Sequence, residues 1–396
     1  MTPTLQRFFC LLLILCFTTV GLAAPKTKDK KPKQPTDYEK GITAYKKDDF
    51  ATALMLWFPL AEKGDAAAQF SIGKMYLDQK GHRKDPKEAA EWIIKAAKQN
   101  YVEAQTLIGQ MYIKGVGVKR NFKTAANWLL KAARLKDSNA QYILAKLYFH
   151  GDGIPKSKGK AAYWYKKAAK QNHTGSQNKL ALMYLTGDGL KKKAKQAKTW
   201  FEKAALAGNT QAQINLAKLY LNSDVIKKNE KIGFKWYESA AKKGNPEAQN
   251  KTGEMLEAAI GTPKNLKKAV SWYAKAAKQD NILANYNIGR AYIHGYSVKK
   301  NIKKGVSFLQ KAAKKGHGKA QMDLGVAYYT GQGVIKNYAT AYAWFYVAAA
   351  TNIKDARKTK NSLYEKLSMQ DKKIAITLAT DYKRKYFVRP PRVSKR

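Results

Sequence analysis

The sequence predicts an all-α protein, a right-handed α-solenoid of antiparallel helix pairs. From Asp65 the chain divides without insertion into eight blocks of 36 residues, beginning at Asp65, Tyr101, Asp137, His173, Asn209, Asn245, Asn281 and His317. Similar residues return at the same block positions. Self-similarity at about 20–50 residues marks units that bury their apolar faces on one another. Each block also contains two stretches with helical spacing, joined by a turn-forming segment.

The first stretch reads as a helix with one small-residue face. Position 4 is alanine or serine, from Ala68 to Ala320, and position 9 is glycine or alanine, from Gly73 to Gly325. Position 12 is tyrosine in seven blocks, Leu256 being the exception. Steps of three and four residues put these side chains on one helix face. There the small residues admit a neighbouring helix, and the ring fills the space beside them.

The turn follows as Gly115-Val-Gly117, Gly151-Asp-Gly153, Gly187-Asp-Gly189 and Gly331-Gln-Gly333. Glycine supplies the positive φ that ends a helix sharply. Four residues past the second glycine position stand Asp85, Asn121, Ser157, Asn229, Asn265, Asn301 and Asn337, N-cap residues for a second helix. Lys193 occupies that place in the fourth block, which therefore lacks a cap.

The second helix carries an aromatic row at position 28: Trp92, Trp128, Trp164, Trp200, Trp236, Trp272, Phe308 and Trp344. Alanine pairs follow at positions 32 and 33 of every block. Tryptophan at a fixed repeat position is expected to be core, so replacing Trp200 by alanine is expected to cost ~3–5 kcal/mol.

The ends differ from the middle, as the terminal units of repeat arrays do. Residues 1–23 read as a signal peptide, with Arg7, an apolar run from Phe8 to Phe17, and small residues at Gly21 and Ala23. Cleavage after Ala23 sends the chain to the periplasm or outside the cell. The apolar run falls short of the ~20 residues of a membrane span, so no transmembrane segment is expected in the mature chain. Residues 24–36 are a Lys/Pro-rich linker, 37–64 a leading helix pair, 65–352 the eight repeats, 353–388 capping helices and 389–396 a basic tail. Both cysteines, Cys10 and Cys16, lie in the signal, which leaves the mature chain without disulfides or thiol chemistry.

The charge is extreme, with 75 Lys+Arg against 28 Asp+Glu and a net +47. Such a field favours anionic partners and opposes self-association.

The block pattern of Ala-x-x-x-Leu-Gly-x-x-Tyr, a Gly-x-Gly turn and Ala-x-x-Trp-Tyr-x-x-Ala-Ala resembles the Sel1-like repeat, itself tetratricopeptide-like. Gln105 to Gly117, Ala161 to Ala169 and the closing Trp344-Phe with Ala348-Ala-Ala carry the resemblance, which spans residues 37 to about 386. It implies an adaptor or scaffold that assembles protein partners. Secreted bacterial members of such a family imply roles in envelope assembly or host-cell interaction. A cysteine-rich subgroup implies penicillin binding or β-lactam hydrolysis, and the cysteine-free mature chain departs from that pattern.

The chemistry-bearing residues nominate no catalytic residue, no cofactor-binding residue and no metal ligand. Gly187 to Lys193 lacks the Gly-Lys-Ser/Thr ending of a phosphate loop. No two of His82, His150, His173, His294 and His317 have ligand spacing, and they read as helix-end residues. The binding face is more informative, because helix-pair solenoids recognise partners along a concave surface lined by their first helices. By analogy with tetratricopeptide repeats, positions 6, 10 and 13 face that groove. Phe70/Lys74, Tyr142/Lys146 and Tyr286/Arg290 each set a cation one turn beyond a ring, and Lys218 adds a further cation. The expectation is a basic groove with an aromatic-cationic ladder that holds a protein partner. An anionic envelope component (acidic glycan or lipid headgroup) is the second class of partner, and nucleic acid is disfavoured by export. A cell-wall or β-lactam hydrolase is the third function class.

Overall fold

The computed structural model describes residues 34–80, 85–351, 353 and 355–388. The predicted signal peptide, most of the linker, His82 and the basic tail lie outside the described residues. Among those described there are twenty α-helices and no strand. A leading pair, α1 (Asp37–Lys46) and α2 (Phe50–Glu62), precedes four pairs: α3 (Ala66–Asp78) with α4 (Pro86–Lys98), α5 (Val102–Lys114) with α6 (Phe122–Arg134), α7 (Ser138–His150) with α8 (Lys158–Lys170), and α9 (Thr174–Thr186) with α10 (Ala194–Leu206). Four more follow: α11 (Thr210–Asn222) with α12 (Glu230–Lys242), α13 (Pro246–Glu257) with α14 (Leu266–Lys278), α15 (Ile282–His294) with α16 (Ile302–Lys314), and α17 (Gly318–Thr330) with α18 (Tyr338–Ala350). The last described helices are α19 (Ala356–Lys366) and α20 (Met369–Tyr386).

From α1 to α18 each helix packs on its pair-mate and on the next helix in the chain, so the core is a string of small clusters. Within a pair the small residue at position 9 meets the large one at position 29. A side chain added at Gly73 would meet Ile93 at 2.6 Å, at Gly253 Tyr273 at 2.5 Å, and at Gly325 Phe345 at 2.5 Å. Position 29 holds Ile93, Leu129, Tyr165, Phe201, Tyr237, Tyr273, Leu309 and Phe345, all buried.

The tryptophan row therefore sits shallower than its repetition implies. Trp92 and Trp344 are buried, whereas Trp128, Trp164, Trp200, Trp236 and Trp272 are half-buried. Being one residue from position 29 turns position 28 by a quarter to a third of a turn, away from the first helix and towards the next repeat. Trp164 touches the clusters on both sides of it, and so does Trp200. A lysine one turn on covers the outer ring face, with Nζ 3.9 Å from the ring centroid at Lys95/Trp92, 4.6 Å at Lys131/Trp128 and 4.4 Å at Lys275/Trp272.

Caps and turns explain why the period holds. Position 1 caps seven of the eight first helices, as when the Asp137 carboxylate accepts the Ala140 amide and the Asn209 side chain that of Ala212, while Tyr101 makes no cap bond. The second helix is capped in the same way from Asp85 to Asn337, while Lys193 makes no cap bond. The second turn glycine is needed for space as well as for φ. At Gly189 (φ +70°) a side-chain carbon would collide with the backbone of Lys158 at the start of the preceding repeat's second helix.

A buried amide joins successive repeats. Position 5 is glutamine in seven blocks and Asn285 in the other, and all eight are buried. Gln69, Gln105, Gln141, Gln177, Gln213, Gln249 and Gln321 each donate Nε2 to a carbonyl eight residues earlier, at the end of the preceding helix. Those carbonyls are the ones a helix end leaves unpaired.

Candidate interaction face

The first helices form one layer and the second helices the other, which fixes where each nominated residue goes. The cation of each proposed ring-cation pair does sit over its ring: Lys74 Nζ lies 5.9 Å from the Phe70 centroid, Lys146 Nζ 5.9 Å from Tyr142, and the Arg290 guanidinium carbon 5.7 Å from Tyr286. The rings, however, are half-buried repeat-to-repeat contacts. Phe70 packs on Tyr101 at 5.1 Å between centroids, Tyr142 on His173 at 4.7 Å, and Tyr286 on His317 at 4.5 Å. In three other repeats the same place is polar, as in the hydrogen bonds of Thr106 to Asp137 and of Asn215 to Asn178. Lys74 and Lys146 are exposed and Arg290 is half-buried, but the exposed Lys218 is tied to Glu247 at 2.7 Å.

The expected basic groove is corrected by where the charge lies. Positions 1–14 of the eight blocks, which supply the first helices, hold 8 basic and 8 acidic residues. The remaining positions, the turns and second helices, hold 43 basic and 10 acidic. The net charge of the repeats is therefore carried outside the first-helix layer. First helices spend many positions on packing, and their few exposed sites mix signs. Glu254, Glu257, Arg290 and Lys319 line one 530 Å³ cleft with Tyr286 and His317.

Two groups in that region are electrostatically unusual. Burial, then the charge of Asp323, pushes the Tyr286 hydroxyl up to about 12. Burial also raises the Asp323 carboxyl above its ordinary range, against the opposing influence of Tyr286 and Arg290. Next door the Tyr273 hydroxyl donates to Glu257 at 2.6 Å, and its own ionisation is suppressed by burial.

A more enclosed hollow of 250 Å³ opens between α7 and α9. Phe149, Tyr165, Leu182 and Met183 form its apolar wall, with Lys146 and Lys179 at its rim. Position 10, cationic in four repeats, is leucine here. Neither this hollow nor the glutamine clamp was singled out by reading motifs. The clamp has a signal in sequence, an amide at position 5 of every block, whereas the hollow joins Phe149 to a leucine 33 residues away.

The model of the Sel1 repeat matches residues 66–101, 102–137, 138–173, 174–209, 210–245, 246–281, 282–317 and 318–350. The chain belongs to the Sel1 repeat family. The chain is similar to c5321, a protective antigen present in uropathogenic Escherichia coli strains and displaying an SLR fold. The two are 28% identical, with 89% of this chain and 84% of that one covered at a TM-score of 0.54. It is also similar to a Sel1 repeat protein from Oxalobacter formigenes, at 30% identity and a TM-score of 0.56, covering 61% of this chain and 99% of that one. No curated protein shows significant similarity to the chain. Sel1 repeat proteins are generally scaffolds for protein–protein interaction and typically not enzymes. No helix among the described residues of this Sel1 array is long and apolar enough to cross a membrane.

Proposed function

We propose that the protein is an exported scaffold that holds polypeptide partners along the face built by its first helices, the concave face in arrays of this kind. The observation that carries this is the separation of constant from variable positions. Positions 4, 5, 9, 29, 32 and 33 are committed to packing in every repeat. Position 10 of the first helices runs Lys74, Gln110, Lys146, Leu182, Lys218, Glu254, Arg290 and Val326. Variation at an outward position of a rigid frame is where selective recognition is written. Export rests on the signal-like residues 1–23, and similarity to a protective antigen supports a role in the envelope or towards a host.

Photocrosslinking in the living cell tests the assignment. A benzophenone side chain at position 182, 254 or 326 is expected to capture protein partners, and one at Leu206 on a second helix to capture few. Equal capture from both layers overturns it. The mature protein is expected to begin at Ala24, which N-terminal sequencing checks.

A second reading is favoured by the 43 basic residues outside the first helices against 10 acidic ones. In it the outer layer holds an anionic envelope polymer while the inner face holds protein. Its mark is retention on an acidic glycan that falls steeply with salt. Retention unchanged between low and high salt rejects it.

A further inference from the structure

We infer that the hollow between α7 and α9 is an anchor pocket for one large apolar side chain of an extended, acidic polypeptide segment. This rests on the scaffold reading above and specifies its partner.

The apolar wall comes from both sides of one repeat junction. Phe149 lies in the last turn of the first helix of the third repeat, and Leu182 and Met183 lie in the second half of the next first helix. Met183 and Tyr165 are buried, while Phe149 and Leu182 are half-buried and open onto the face. Its 250 Å³ falls below the ~300–1,000 Å³ of small-molecule and cofactor sites and suits a single side chain.

Charge complementarity selects the neighbours of that side chain. Lys146 and Lys179 are exposed at the rim, and neither has a carboxylate partner among the described residues. The single lining carboxylate, Asp188, is already engaged. It pairs with Lys158, accepts the Thr186 hydroxyl at 3.0 Å, and is held below its ordinary pKa range by those bonds. The rim therefore presents uncompensated positive charge around an apolar floor. An apolar residue flanked by Asp or Glu meets both demands, since the ring or aliphatic group enters the hollow and its neighbours reach the lysines.

Fluorescence anisotropy with the full mature chain tests this. The probe is a labelled nine-residue peptide with tryptophan at its centre and four glutamates on either side. We expect it to bind, and expect roughly 10-fold or greater weakening when its tryptophan is replaced by serine, as for a buried aromatic anchor. Leu182→Ser is expected to weaken the intact peptide similarly, and Lys146→Ala with Lys179→Ala to weaken it and flatten its salt dependence. If Leu182→Ser shifts the melting temperature, the serine peptide on the unmodified protein decides. Equal affinity for the tryptophan and serine peptides, or no binding of either, overturns the pocket. The scaffold reading is judged separately: partners crosslinked from positions 254 and 326 but not 182 leave it standing without the pocket.

Discussion

The ring of Tyr142 rests 4.7 Å from the imidazole of His173, across the junction between the third and fourth repeats. On its other side the same imidazole begins the next helix, its Nδ1 accepting the Ser176 amide at 3.0 Å. The arrangement returns four repeats later, where His317 packs on Tyr286 and accepts the Ala320 amide at 3.1 Å. Elsewhere in this position Asp65, Asp137, Asn209, Asn245 and Asn281 make the cap. A histidine can do so only while Nδ1 carries no proton.

Acid is therefore expected to loosen these two junctions first. Burial lowers the pKa of His173, and burial together with Lys319 lowers that of His317. A histidine lowered on folding takes up protons more readily when unfolded. Its contribution is thus complete above the ordinary imidazole value of about 6.5 and is lost as pH falls below it. The melting temperature should decline from about pH 6.5 downward. The double variant His173→Asn, His317→Asn, which installs the cap used at Asn209, should decline less over the same range. Identical slopes for the two proteins would reject the assignment.

Adjacent residues on α10 should differ sharply in what they contribute. Phe201 is fully buried, so Phe201→Ala should cost ~3–5 kcal/mol. Trp200 is half-buried beneath Lys203, whose Nζ lies 4.9 Å from its centroid, and Trp200→Ala should cost roughly 0.5–3 kcal/mol. Thermal melts of the two variants check the order, and a Trp200→Ala protein melting below Phe201→Ala contradicts the packing described.

The buried amide clamp is complete in some repeats and open in others. Gln99, Gln171 and Gln279 at position 35 donate to the Oε1 of Gln69, Gln141 and Gln249, each at 2.9 Å. Where position 35 holds another residue, as at Leu135, the clamp oxygen has no partner, and Gln105 Oε1 is one of five such atoms. Leu135 is half exposed to solvent, so Leu135→Gln should restore the pair without disturbing a core. A net gain of about 0.5–1.5 kcal/mol is expected, read as a higher melting temperature.

Left-handed backbone gives a matched pair of opposite sign. The turn from each second helix to the next first helix passes through a positive-φ residue, glycine at Gly208, Gly244 and Gly316 but lysine at Lys136 (φ +68°). A lysine held there is strained by about 1–2 kcal/mol, so Lys136→Gly should stabilise part of that amount. Gly189→Ala should destabilise, since it adds a collision with Lys158 to the same strain. Opposite shifts in melting temperature are the expected result, and a stabilised Gly189→Ala protein would contradict the close approach of Gly189 to Lys158.

Local rules made the helices, turns and second-helix caps legible, including Lys193 as the uncapped start among the second helices. Depth was not legible in the same way. Tryptophan at position 28 draws the eye because it is uniform, yet the deepest place is position 29, where isoleucine, leucine, tyrosine and phenylalanine are interchangeable to the packing. Uniform identity reflects a particular shape against the next repeat, whereas burial asks only for apolar bulk. The charge was misplaced for a related reason. A total of +47 says nothing about layers, and only the assignment of positions 1–14 to one face shows that face to be balanced. Phe149 and Leu182 come together only through stacking, and no spacing rule within one helix predicts that hollow.

α20 turns back over the last pair instead of continuing the stack. It lies on α18 and reaches α16, with Tyr382 4.7 Å and Tyr386 5.4 Å from the ring of Trp344. The Tyr386 carbonyl accepts from Gln321, so even the final clamp is joined to this helix. α20 thus covers the outer flank of the last pair. An array of this design can lengthen by duplicating any interior unit, since each junction is remade by the same period. A longer or shorter relative is expected to differ in the middle and keep the contact of α20 with α18.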